Sequence, residues 1–218
     1  MTHRVHPYSF RLGQVRDWKS RWFDLRNYRK FLKADVKLRS WLNDRLIKMY
    51  VSKIEIERSP TLLKIIIHTS RPGLIIGRSG AGANSLKKEI EKFFEKFGLN
   101  RPRELQLAIE EIKSPETDAA VVSRMVAESL EKRLPFRRVL KQILSKVSSH
   151  KEVLGVKVAL AGRLDGAEMS RREWLSDGRI PLQTIRADID FARTRAHLPY
   201  GDIGIKVWIY KGEVFSEK

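Results

Sequence analysis

The sequence predicts an α+β protein: a basic N-terminal arm, a three-stranded sheet with helices, and a second two-layer domain with two helices on a mainly antiparallel four-stranded sheet. Three observations predict it. Apolar residues alternate between a period of two and a period near 3.6, the marks of half-buried strands and amphipathic helices. Two complete hydrophobic patterns meet at Ser114-Pro115, and 218 residues are enough for each to bury a core. Inside the first pattern, Gly77-Arg78-Ser79-Gly80 lies between two helical segments. The divisions that follow are an arm over 1–37, a domain over 38–113 and a domain over 114–218.

Composition narrows the function. Lys and Arg number 44 against 26 acidic residues, a formal charge of +18. So basic a chain favours a polyanion, and with no amphipathic membrane anchor that polyanion is nucleic acid. A hydrophobic content of 42% excludes a wholly disordered basic tail. The absence of cysteine excludes a disulfide frame and a thiolate metal site. No apolar run approaches a membrane span, and the N-terminus lacks the apolar core of a signal peptide. A cytoplasmic protein without membrane contact is expected. The five histidines are scattered without metal-ligand spacing, so neither metal nor cofactor is expected.

The arm carries ten Lys or Arg against three aspartates. Arg4, Arg11, Arg16, Lys19 and Arg21 are its candidate RNA contacts. Trp18, Trp22, Phe23, Tyr28 and Phe31 are interleaved with its cations, a pairing that suits phosphate contact and base stacking. The same rings could instead pack on the following domain, and the two readings are compatible. A helix is predicted from Val36 to Tyr50, with Leu38, Trp41, Leu42, Leu46 and Met49 on one face. Val51 to Arg58 alternates as a strand. Ser59-Pro60-Thr61 is turn chemistry, and Leu62 to His68 returns as a second strand.

The loop comes next. Leu74-Ile75-Ile76 leads into Gly77, and Ser85 to Phe97 forms a helix with Leu86, Ile90, Phe93, Phe94 and Phe97 as its core stripe, closed by Gly98. No acidic residue lies between Arg71 and Lys88. Two glycines three apart at a helix N-terminus present backbone N–H groups and a positive dipole end to phosphate. The spacing fits neither G-x-x-x-x-G-K-[ST] nor G-x-G-x-x-G with a following acid. Glu104 to Glu110 supplies a third strand. The order helix, strand, strand, short helix, G-x-x-G, helix, strand resembles a type II KH domain, whose loop clamps about four nucleotides.

The second half opens with a helix over 116–134, with Val122, Met125, Val126 and Leu130 sharing a side. Pro135 interrupts it. The next helix, 136–148, places Leu140, Ile143, Leu144 and Val147 on its apolar stripe, with Arg137, Arg138 and Lys141 together on a flank. No carboxylate occurs from Phe136 through His150. Strands are predicted over Gly155–Gly162, around Ala167 to Leu175, from Ile180 to Phe191, and over Ile203–Tyr210. Asp177-Gly178 is read as the turn joining the middle two.

Three stretches of this half carry a resemblance: Ala161-Gly162-Arg163-Leu164-Asp165-Gly166-Ala167-Glu168, the run from Gly178 to Asp190, and Tyr200-Gly201 followed by Ile203 to Glu213. They resemble the C-terminal domain of the bacterial-type small-subunit ribosomal protein three family. Val5-His6-Pro7 with Arg11-Leu12-Gly13 is similar to that family's start. The resemblance implies a structural, non-enzymatic protein present as one copy on the head of the small ribosomal subunit. It implies binding to small-subunit ribosomal RNA, neighbours among small-subunit proteins ten and fourteen, and a place lining the channel through which messenger RNA enters. Arg137, Arg138 and Lys141 match the family's basic helix at that channel, which is linked to opening structured messages. Arg78-Ser79 stands where bacterial relatives usually carry two lysines, so one loop charge is missing. The sequence stops soon after Glu213, without the longer basic tail of some relatives, so contacts borne by that tail are not carried over from the resemblance.

Two other classes compete. A free-standing KH regulator leaves the second half unexplained. An RNA-processing enzyme lacks a metal cluster, a placeable Ser/His/Asp set or a nucleotide loop. Asp188 and Asp190 alternate on a strand and are expected to pair with Arg186, Arg193 or Arg195 rather than with a metal.

Overall fold

The computed structural model describes residues 5–59, 61–97 and 104–215. Arg4, Pro60 and Gly98 lie outside the described residues. The chain forms two compact units, one built by Trp18–Lys113 and the other by everything from Ser114 on together with the chain up to Asp17. The arm read as 1–37 is therefore divided between them. A one-turn helix α1 (Pro7–Phe10) belongs to the second unit.

The first unit starts with a two-residue strand β1 (Ser20–Arg21) and a helix α2 (Tyr28–Arg45). The helix begins well before Val36. Asp24 accepts hydrogen bonds from the Arg26 and Asn27 N–H groups and turns the chain into it. Trp22 lies edge-on to Phe31 at 5.6 Å and donates through Nε1 to Asp35 at 2.7 Å. Asp35 is buried and also accepts from the Arg58 Nε at 2.8 Å, an ion pair that ties helix to sheet. Trp22 and Phe31 thus pack inward, whereas Phe23 is 81% exposed.

β2 (Val51–Arg58) and β3 (Leu62–Thr69) pair antiparallel. β4 (Glu104–Glu111) lies parallel to β3, and β1 lies parallel to β2, so a short edge strand joins the three predicted ones. Between β3 and β4 run α3 (Pro72–Ile76) and α4 (Ala81–Lys96). Leu38, Leu42 and Leu46 of α2 and Leu86, Ile90, Phe93 and Phe94 of α4 pack on Ile54, Ile56, Leu63, Ile65, Ile67 and Leu105. Each such side chain contributes about 1.5–3 kcal/mol when fully buried. Phe97, the last member of the predicted stripe, is 43% exposed, its ring tilted against Phe93 at 4.6 Å with the Lys37 ammonium over it.

The second unit follows a 3-10 turn at Pro115–Thr117 with α5 (Ala119–Glu131) and α6 (Phe136–Ser148). Asp118 caps α5, accepting from the Ala120 and Val121 N–H groups. α5 stops short of the predicted 134, and Arg133 takes a positive φ of 61° in the turn to α6. β5 (Gly155–Gly162), β6 (Arg171–Gly178), β7 (Ala187–Leu198) and β8 (Gly201–Glu213) form a sheet in the order β6-β5-β8-β7, antiparallel throughout. Val122, Val126, Leu130, Phe136, Val139, Leu140, Ile143 and Val147 cover its inner face of Val156, Val158, Leu160, Ile203, Ile205, Val207 and Ile209.

The middle strands are shifted from their predicted positions. Asp177 and Gly178 end β6, paired with Val156 and Gly155, and are not a turn. The glycine serves close packing instead, because a Cβ on Gly178 would lie 2.3 Å from the Leu154 carbonyl oxygen. Residues 180–186, predicted as the start of a strand, instead form a loop that supplies carbonyls to Arg11. That guanidinium is fully buried and donates to the carbonyls of Pro7 at 3.0 Å, Leu182 at 3.0 Å and Thr184 at 2.8 Å. The carbonyls of residues 181, 182 and 184 converge on one guanidinium, a geometry that an extended strand, with alternating carbonyls, does not offer. Asp188 and Asp190 also differ from expectation. Asp188 pairs with Arg16 at 2.6 Å, and Asp190 accepts from the Ala119 N–H at the start of α5 at 2.8 Å.

Candidate nucleic-acid interface

Two features of the fold point toward phosphate, one in each unit. In the first unit, α3 ends at Gly77 (φ 69°), the chain crosses Ser79 at φ 50° and Gly80 at φ 79°, and α4 begins. Left-handed backbone at these positions favours glycine. A Cβ on Gly77 would also lie 2.9 Å from the Gly82 nitrogen, so the start of α4 sits tight against the loop. Gly80 has open space around it. Arg78 and Ser79 are exposed, no side chain caps α4, and its first turn carries no acidic residue. The arrangement leaves a helix N-terminus uncompensated by protein charge, with one arginine beside it.

In the second unit, α6 buries Phe136, Val139, Leu140, Ile143 and Val147 and exposes Arg137, Arg138 and Lys141. At 100° per residue the three cations fall within one sector of the helix surface. They occupy the first turn and a half, where the dipole end is already positive and no acidic residue offsets it. That placement costs helix stability and concentrates positive potential. Arg171 on β6 joins this end: its guanidinium lies 5.4 Å from the Phe136 ring, against 5.7 Å for Arg137. Sequence reasoning missed Arg171, because the register of β6 against β5 brings it there and no local pattern announces that register.

The arm candidates are largely committed within the chain. Arg11 is enclosed and cannot reach an RNA phosphate, which corrects its assignment as a surface contact; burial pulls its pKa down and Asp188 partly offsets the effect. Arg16 holds Asp188, and Arg21 lies 3.1 Å from Glu57 and 3.4 Å from Glu55. Lys19 is half-buried, and its carbonyl accepts from the Ile56 N–H at 2.9 Å. Among the described residues no group of three or more His, Asp or Glu side chains is placed to hold a metal ion, and no helix is long and apolar enough to cross a membrane.

Comparison with known proteins gives a consistent result. Residues 37–117 match the KH domain model, and residues 126–209 match the model of the ribosomal protein S3 C-terminal domain. The small ribosomal subunit protein uS3 of Maridesulfovibrio salexigens is 46% identical over 218 residues, covering 100% of this chain and 99% of the relative. The protein of the same name from Caldicellulosiruptor saccharolyticus is 45% identical over 219 residues, covering 100% and 96%. That from Endomicrobium trichonymphae is 46% identical over 217 residues, covering 100% and 90%.

Proposed function

The chain belongs to the uS3 family of small ribosomal subunit proteins, and from that premise we propose that it binds small-subunit ribosomal RNA and lines the channel through which messenger RNA enters, holding and opening incoming message. It is a structural, non-enzymatic component of the small subunit of the cytoplasmic ribosome. In this reading Gly77, Arg78, Ser79 and Gly80 hold RNA backbone, and small-subunit proteins ten and fourteen are its neighbours in a one-copy arrangement.

The observation that carries the proposal is α6. Three exposed cations share one face at the helix N-terminus, with the apolar stripe turned into the core and no carboxylate among them. Such a face holds phosphates without reading bases, as a channel that passes every message requires. It favours a separated, flexible strand whose phosphates can meet the cations, and so assists opening of a duplex as the ribosome advances.

The test is Arg137→Ala with Arg138→Ala and Lys141→Ala. None of the three is in the core, so the variant is expected to fold and to enter small subunits. The log–log salt slope of message binding should become shallower by about 2, at roughly 0.7 per single-strand contact. Translation through a stable hairpin should slow more than translation of an unstructured message. Wild-type passage of both messages together with a wild-type salt slope would remove α6 from the mechanism.

A further inference from the structure

The four-stranded sheet has a second face, turned away from α5 and α6 and met only at its β7 edge by the start of α1. The register defines its rows. Trp174, Ala159, Lys206 and Arg193 lie side by side across β6, β5, β8 and β7. Next to them run Arg172, Ala161, Gly204 and Arg195, and on the other side Ser176, Lys157, Trp208 and Phe191. Adjacent positions in a row are about 5 Å apart. Five cations, Lys157, Arg172, Arg193, Arg195 and Lys206, thus share these rows with no carboxylate. Among the described residues none of the five makes an ion pair; the neighbouring carboxylates Glu173 and Asp202 are engaged by Arg171 and His197.

The aromatic residues of this face divide into a covered and an uncovered set. At one end His6 of the arm meets Phe191 edge-on at 4.8 Å, and Ile189, Trp208 and Tyr210 form a buried cluster. Trp174, on the edge strand β6, is 54% exposed. The Lys157 ammonium lies 4.3 Å from the Trp174 ring and 5.8 Å from the Trp208 ring. One indole is therefore presented to solvent with a cation beside it, bordered by arginines on neighbouring rows. A protein-docking face would surround such a ring with further exposed apolar side chains. This one surrounds it with positive charge, which complements a phosphate backbone.

We propose that this uncovered face is an RNA-binding surface distinct from α6 and from the 77–80 loop, taking a single-stranded segment with a nucleobase stacked on Trp174 and phosphates on Arg172, Arg193, Arg195 and Lys206. The proposal rests on the reading that the chain works bound to RNA, and it identifies the face that does part of the holding. Stacking on an indole is tolerant of base identity, and the cations make contact with backbone, so the surface recognises an unpaired segment rather than a sequence.

The test uses the full-length chain and a fluorescein-labelled, unstructured oligouridylate. Trp174→Ala should weaken binding about 5- to 150-fold, the range of one base stack, with little change in salt slope. Trp174→Phe should retain most of the affinity. Arg193→Ala with Arg195→Ala and Lys206→Ala should weaken binding and flatten the slope by about 2. All these side chains are exposed, and an unchanged circular dichroism spectrum and melting temperature identify the variants as folded. If the parent chain failed to bind the oligouridylate and failed to sediment with small subunits, the underlying reading would fall. If the parent bound and every face variant bound equally well, this inference alone would be overturned. The same holds if the face variants bound RNA normally but no longer sedimented with the subunit, which would give the face to a protein neighbour.

Discussion

Gly77 and Gly80 look equivalent in the sequence, yet their surroundings separate two roles. Gly77 combines a positive φ with a close approach to the Gly82 nitrogen, so any side chain there must push α4 away from the loop. Gly80 has a positive φ and empty space, so a side chain there projects outward. Aspartate tolerates left-handed backbone better than most residues, so Gly80→Asp costs about 1 kcal/mol of backbone strain or less. It also sets a carboxylate at the N-terminal end of α4. Gly80→Asp should therefore leave the melting temperature nearly unchanged and reduce RNA affinity of the full chain several-fold in low salt. Gly77→Asp should lower the melting temperature clearly. If Gly80→Asp bound RNA as the parent does at all salt concentrations, phosphate would not approach this loop. Ser79, already at φ 50°, was legible only as a member of the motif; nothing in its identity announces a left-handed residue.

At the level of elements, the 3-10 turn at Pro115–Thr117 is fastened to the end of α6. The Glu116 carboxylate meets the Lys146 ammonium at 2.7 Å and the His150 ring at Nε2. Hydrogen bonds from Lys146 and His150 hold its pKa below the ordinary value of 4.5. A depressed folded-state pKa gives stability that is fully present above the unfolded value and is lost as pH falls through the folded one. Glu116→Gln should consequently lower the melting temperature at neutral pH, and the gap between variant and parent should close as pH drops below about 4.5. A gap independent of pH would show that packing, not charge, fastens the turn. Elements of this kind differ in how far a sequence displays them. β2 and β5 were readable to the residue because each alternates between a core face and an outer face. β6 and β7 were not, because β6 is an edge strand whose inner face carries Arg171, Glu173 and Asp177 beside a single half-buried Leu175. Asp177-Gly178 also has turn chemistry while serving as a strand end. The cationic flank of α6 was legible from helical spacing, and the uncovered sheet face was not, since its rows are assembled from strands far apart in sequence.

Over the whole molecule, the two hydrophobic patterns and the Ser114-Pro115 break were visible in the sequence, and two compact units follow them from residue 18 onward. The fate of the arm was not visible, because its first part is joined to the unit built by the far end of the chain. The join is made by Arg11 donating to carbonyls of residues 182 and 184, Arg16 pairing with Asp188, and His6 against Phe191. A buried guanidinium is stabilising only while all these acceptors face it, and removing it strands several carbonyls that have lost water. From this we expect the arm to act as a strap. Limited proteolysis between residues 112 and 116 should cut the backbone between the two units, yet the N-terminal fragment should stay bound to the C-terminal one through residues 5–17 during gel filtration. Arg11→Ala should let the fragments separate and should expose residues 179–186 to further cleavage. Dissociation of the parent fragments immediately after the cut would mean that the strap adds nothing to the cohesion of the second unit, and that the arm's conformation is imposed by chain connectivity alone.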